Sequence, residues 1–120
     1  MLNDCSLLLE SIPDAIFMLN RDGYITFTNP AASSMTGYIA SELLNQHIAF
    51  LYKPDYDYTK AEYELGLAQK NEKFSAEGWK FRKDKTKFWG EHILSCLYDE
   101  QKAPIGYCCT LRDRSEKKTG

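Results

Sequence analysis

The chain has 120 residues, 43% hydrophobic and 27% charged, with a net charge of −2, which suits one compact domain and leaves no room for a second. No apolar stretch approaches the roughly 20 residues of a bilayer-spanning helix. The interspersed charges form no basic stripe for a phosphate backbone, so neither a membrane span nor a nucleic-acid partner is expected.

In chain order, the first ten residues carry Asp4 and Glu10 and lack the basic start and long apolar run of a secretory signal. Leu2, Leu7, Leu8, Leu9 and Ile12 read as an amphipathic helix stopped at Pro13, a cap over residues 1–13. Residues 15–20 and 23–28 are short, β-branched and aromatic, and Asn20-Arg21-Asp22-Gly23 between them is a hairpin signal. Asn29 then stands as a helix cap before Pro30, which loses nothing at a first helical position, and Gly37 is a natural stop. Ser41 is the expected cap of a second short helix over residues 42–44, and residues 45–57 read as irregular and rich in tyrosine, including Tyr52 and Tyr56. The longest helix is expected over residues 58–70, with Ala61, Leu65 and Ala68 on its apolar side, flanked by Tyr63 and Leu67.

The last third changes period. Residues 74–83, 87–98 and 105–112 read as three antiparallel strands in a meander, separated by Asp84-Lys85-Thr86 and by residues 99–104. Residues 114–120 read as a cut linker toward an effector domain. Four cysteines, Cys5, Cys96, Cys108 and Cys109, show no Cys-x-x-Cys spacing and no companion histidine run, which argues for free thiols in a cytoplasmic, reducing setting and against a metal site.

Several pieces in this order carry a resemblance. They are Pro13-Asp14-Ala15-Ile16-Phe17, Asp22-Gly23, Asn29-Pro30-Ala31-Ala32 and Thr36-Gly37-Tyr38, then Glu77-Gly78-Trp79-Lys80-Phe81-Arg82-Lys83-Asp84, Phe88-Trp89, Pro104-Ile105-Gly106-Tyr107 and Arg112-Asp113-Arg114-Ser115-Glu116. Together they resemble a PAS domain, the sensory module of bacterial and archaeal signalling proteins such as sensor histidine kinases, over about residues 6–118, with the sensory domain itself at residues 14–113. The resemblance implies an α+β fold: a five-stranded antiparallel sheet with short helices on one face, an N-terminal helix, and a pocket between the sheet and the long helix. Lys85 departs from the pattern, which usually has glycine after that aspartate.

The resemblance also bears on cofactors. The flavin photoreceptor branch uses a cysteine in a stretch that here reads Asn45-Gln46-His47-Ile48-Ala49-Phe50-Leu51, so cysteinyl-flavin photochemistry is not expected. Residues 58–70 contain no histidine for the helix-ligated haem of the oxygen-sensing branch. Haem held by His92, non-covalent flavin and other small organic ligands stay open.

Strand alternation sorts the last three strands by face. With the family's phase, Phe74, Ala76, Gly78 and Lys80, then Gly90, His92, Leu94 and Cys96, then Tyr107, Cys109 and Leu111 face the helices. The candidate ligand pocket is thus Ala76, Gly78, Lys80, Gly90, His92, Leu94, Tyr107 and Cys109. Gly78 and Gly90 withhold volume that something must occupy, and Lys80 needs an anion, a neighbouring carboxylate or a way out to the rim. The plainer alternative is a rim lysine and a core histidine. The opposite face gathers Trp79, Phe81, Trp89, Ile93 and Leu97 with Ile16 and Met18, an apolar surface that the helix bearing Leu7 and Leu8 and a second copy of the chain would cover.

An enzyme is not expected. Only His47 and His92 could act as histidine bases, neither stands beside a nucleophile, and Glu62 and Glu64, two apart on a helix, diverge. The expected role is a homodimeric sensor in a histidine kinase or a cyclic-dinucleotide regulator. A ligand-free interaction module is the alternative.

Overall fold

The computed structural model describes residues 13–52 and 58–115. The expected N-terminal helix with Leu7 and Leu8, residues 53–57 at the end of the stretch expected to be irregular, and the charged tail at 116–120 lie outside the described residues.

Strands β1 (Ala15–Leu19) and β2 (Ile25–Thr28) form the opening hairpin. Helices α1 (Pro30–Thr36) and α2 (Ala40–Leu43), a 3-10 turn (Ile48–Leu51) and helix α3 (Tyr58–Asn71) follow. Strands β3 (Lys73–Phe81), β4 (Lys87–Tyr98) and β5 (Pro104–Asp113) complete an antiparallel sheet of order β2-β1-β5-β4-β3. The chain's first strand therefore lies against its last. This is the α+β architecture that the motifs imply.

Local chemistry places most boundaries. Asn29 caps α1 from extended backbone, and Gly37 ends the helix at φ 82°, a conformation that penalises any side chain with a Cβ. In α3 the buried stripe Ala61, Glu64, Leu65 and Ala68 follows the 3.6-residue period, and Glu72 leaves the helix at φ 72°. Phe17, Ile25, Leu43, Ile48, Leu51, Leu94 and Leu111 are the largest apolar side chains fully enclosed between the helices and the sheet.

Three expectations need correction, and the departure at Lys85 is accommodated by its turn. Ser41 lies inside α2 rather than capping it, since Ile39 holds the cap position and its N–H donates to Glu42 Oε1 at 3.0 Å. The stretch expected to be irregular contains the Ile48–Leu51 turn, capped by His47 Nδ1, which accepts from Ala49 N at 3.0 Å. Strand β2 begins at Ile25 because Gly23, at φ 90°, belongs to the turn and Tyr24 bridges to His47. Lys85 adopts φ 73° where the family usually has glycine, and Asp84 Oδ1 steadies that turn by accepting from Thr86 N at 3.0 Å and Thr86 Oγ1 at 2.6 Å.

Asn29 also joins the first strand to the first helix. Its Oδ1 accepts from Ile16 N at 2.9 Å and Ala32 N at 3.1 Å, while its Nδ2 donates to Asp14 O at 2.9 Å, all from a side chain 2% exposed. Removing it strands buried backbone groups on two elements. Asn29→Ala should therefore cost about 2–4 kcal/mol, the sum of a lost cap and an unsatisfied buried donor, read as a lower urea midpoint at unchanged slope.

Candidate functional site

The inner face of β3, β4 and β5 has the phase expected from alternation. In β3 the positions facing the helices are half-buried at Phe74, Ala76 and Gly78 and buried at Lys80, and in β4 Phe88, Gly90, His92, Leu94 and Cys96 are all buried. In β5 Tyr107, Cys109 and Leu111 are buried, with Cys108 on the other side. The register sets Lys80 opposite Phe88, Gly78 opposite Gly90 and Ala76 opposite His92.

Across from this wall, α3 presents Glu64 and the 3-10 turn ends on Tyr52. The Tyr52 hydroxyl donates to Glu64 Oε1 at 2.5 Å and lies 3.2 Å from His92 Nε2, which is itself 2.8 Å from the same oxygen. Glu64, Lys80 and His92 are 3%, 2% and 1% exposed, so all three have left water. Lys80 Nζ sits 5.2 Å from the centre of the Tyr52 ring, and Lys60 Nζ lies 5.5 Å from the same ring centre.

The protonation states follow from these contacts. Burial alone would raise the Glu64 pKa, but the hydrogen bonds from His92 and Tyr52 outweigh it and hold the carboxyl below its ordinary value. An ionised carboxylate only accepts, so His92 carries its proton on Nε2 and donates to Glu64. Burial pulls the His92 pKa down, which keeps the ring neutral and leaves Nδ1 a buried acceptor without a hydrogen-bond partner. Burial also lowers Lys80 to about 8 despite the attraction of Glu64, and pushes the neighbouring Cys109 thiol up to about 12. Tyr52 is raised by its burial and stays a donor.

The two glycines have different surroundings. A Cβ at Gly90 would lie 3.0 Å from Lys80 Cγ and 3.0 Å from Leu111 Cδ1, so the lysine's own stem fills that space. A Cβ at Gly78 would meet only Lys80 Nζ, at 3.7 Å. The room is closed at one glycine and open at the other.

The eight pocket residues read from the sequence share this inner face, but not all of them meet. Lys80, Gly90, Gly78 and His92 border the cluster, and Cys109 is close enough to interact with Lys80. Ala76 pairs with His92 across the strands, and Leu94 packs in the core. Tyr107 lies further along β5, opposite Cys96 and Leu19, and has no recorded contact with the cluster. The sequence reading gave Glu64 and Tyr52 no place here. A signal existed for Glu64, which falls on the same 3.6-residue stripe as Ala61, Leu65 and Ala68.

Glu62 and Glu64 do diverge, each toward its own histidine. His47 Nε2 lies 2.8 Å from Glu62 Oε2, with the imidazole stacked on Tyr58 at 4.3 Å between ring centres. Because Ala49 N donates to Nδ1, this histidine clips the turn to α3. Among the described residues no group of three or more His, Cys, Asp or Glu side chains could hold a metal ion.

On the outer face Trp79 is 44% exposed and meets Trp89 edge-on at 5.2 Å. Trp89 Nε1 donates to Glu77 Oε1 at 2.8 Å, and Lys87 Nζ stands 4.6 Å from the Trp79 ring centre. Phe81, Ile93, Leu97 and Met18 are half-buried and Ile16 is buried. A groove of about 330 Å³ runs over Ile16, Ile93 and Thr110, bordered by the ion pairs Arg112–Asp14 at 2.8 Å and Arg114–Glu91 at 3.3 Å.

The buried lysine yields a prediction of known sign. Its pKa is lower folded than unfolded, so its full contribution to stability is present only above about pH 10 and is lost as pH falls through about 8. At pH 7 it is a cost. Lys80→Met should raise the thermal midpoint at pH 7, and most of that advantage should disappear by pH 10.

Comparison with known proteins agrees with this architecture. The sequence model of the PAS fold matches residues 3–114. Two-component system protein A of Emericella nidulans is 32% identical over 114 residues, covering 93% of this chain but 17% of that protein's length. The PAS domain of a Colwellia psychrerythraea protein superposes with a TM-score of 0.86 at 20% identity, covering 96% of this chain and 98% of that one. The PAS domain of an HTR-like protein from Haloarcula marismortui gives 0.78 at 25% identity, covering 92% and 89%. With the family model matched from end to end of the sheet, the chain belongs to the PAS family.

Proposed function

We propose that this PAS domain is the signal-sensing, dimerising module of a cytoplasmic signalling protein, a sensor histidine kinase by preference. It takes a small molecule between the sheet and α3 and relays its presence to an effector linked beyond β5. It performs no catalysis of its own. The likeness to a two-component system protein and to PAS domains of sensor kinases supports the setting. The observation that carries the reading is the buried Glu64–His92–Tyr52–Lys80 cluster, since polar groups taken out of water cost free energy unless partnered. Against an enzyme, both histidines spend Nε2 on a glutamate, and neither is hydrogen-bonded to a serine, threonine or cysteine among the described residues.

A second reading rests on the outer face. A ligand-free interaction module would need only Trp79, Phe81, Trp89, Ile93 and Leu97 with Ile16 and Met18 as its surface, and the exposure of Trp79 favours contact with a second copy. In either reading that face makes the homodimer.

Native and denaturing mass spectra of one sample separate the two. A dimer with extra mass that is released on denaturation, and that Lys80→Ala or His92→Ala diminishes, is the expected result. Bare dimers under all conditions would favour the interaction module. Ile93→Glu should convert the dimer to monomer, and a variant that stays dimeric would remove the outer face from consideration.

A further inference from the structure

We infer that the edge of β3 is a self-pairing surface: two copies of the chain align antiparallel, edge to edge about Ser75, and continue one sheet through both. The inference is independent of the sensor reading. It adds to the outer face a second contact between copies.

The two edges of the sheet are finished differently. Beside β2, the segment that follows α2 takes up backbone groups: Asn45 N donates to Ile25 O at 2.8 Å, Ile25 N donates to Gln46 O at 2.9 Å, and Tyr24 bridges to His47. Strand β3 ends the sheet on the other side, and no backbone bond among the described residues serves residues 73–76 in the same way. A strand paired on one side only turns a row of N–H and C=O groups outward.

Strand β3 is also regular enough to serve as a template. Residues 73–81 contain no proline, and their pairing with β4 runs from Lys73 to Phe81 without a register shift, whereas the β1–β2 and β4–β5 pairings each contain one. Long edges without proline or a bulge accept another strand readily. Its outer row, Lys73, Ser75, Glu77 and Trp79, is exposed at every position. Trp89 Nε1 donates to Glu77 Oε1 at 2.8 Å and steadies that carboxylate on the same face.

Charge selects the occupant and the register. Residues opposite each other in a continuous sheet share a face, so a symmetric pair with both sets of helices on one side is centred on a residue. Centring on Glu77, for the longest overlap, would set that carboxylate against its own copy, which is destabilising. Centring on Ser75 sets Lys73 opposite Glu77 twice and Phe74 opposite Ala76 twice. No other centre within β3 brings its opposite charges together. The edge is therefore complementary to itself.

Mild oxidation of a Ser75→Cys variant of the full chain tests this. At the two-fold centre the opposed Cα atoms would stand about 4.5–5.5 Å apart, within reach of a disulfide. A covalent dimer should form on non-reducing gels much faster than any from wild type, whose own cysteines supply the control. Adding Lys73→Glu should slow the reaction about tenfold, because two attractive pairs become two repulsive ones. Glu77→Lys should do the same, and both reversals in one chain should restore the rate. Mixed in equal amounts, the two single reversals should cross-link as unlike chains, which mass spectrometry distinguishes.

Cross-linking no faster than wild type would overturn the inference, as would charge reversals without effect or a double reversal no better than the singles. Ser75 also lies on the outer face, so Thr110→Arg, placed in the outer groove two strands away, separates the two contacts. It should leave the cross-link intact. Loss of the cross-link would assign the contact to the outer face and overturn the edge pairing, while its persistence supports the edge and leaves the outer-face dimer to its own test.

Discussion

A single carboxylate oxygen organises the interior of this domain. Glu64 Oε1 accepts from Tyr52 and from His92 inside an interface otherwise closed by Ala61, Leu65, Leu94 and Leu111. An ionised carboxylate in such surroundings is tolerated only while hydrogen bonds and a countercharge replace the lost water. Its partners come from the 3-10 turn, from β4 and, across the Tyr52 ring, from β3. The orientation of the histidine, the position of the turn and the inward path of Lys80 all answer to that requirement. A buried hydrogen-bonded carboxylate need not add net stability, but it permits few alternative packings of α3 on the sheet.

The glycines show how the same centre is accommodated. Gly90 gives its side-chain space to the stem of Lys80, which lets a long cationic residue lie flat on a central strand instead of reaching for solvent. Gly78 leaves space beside the ammonium. A core built for stability alone would carry an aliphatic residue at each of the three positions. Polar groups held at such expense are the usual mark of a site that must recognise something.

The interior is also close to the end where the chain leaves the sheet. Arg82 follows the end of β3, two residues after Lys80, donates to Met35 O at 3.2 Å, lies 4.5 Å from the Phe88 ring centre and reaches Asp113 at 4.0 Å. Arg112 holds Asp14 beside it, and Arg114 N donates to Trp89 O at 2.8 Å. The last residues of β5 are therefore fastened to both edges of the hairpin that carries Lys80 and to the first strand. Any displacement of Lys80 has few bonds to cross before it meets the exit.

Much of this was written locally in the chain. Asn29-Pro30 and Gly37 determine α1, the period of two in β3 to β5 determines which residues face inward, and the turn chemistry around Gly23 and Asp84 determines the hairpins, because each depends on neighbours within a few residues. Placement of Lys80, Gly78, Gly90 and His92 on one face followed from the same periodicity. The tertiary structure alone decided that Glu64 and Tyr52 would meet His92, that Lys80 would turn inward over Gly90, and that Tyr107 would stand apart. Those outcomes depend on how helix, turn and sheet close on one another. Residues 12 to 40 positions apart become partners only then, because a buried charge finds its partner through the packing and not along the chain.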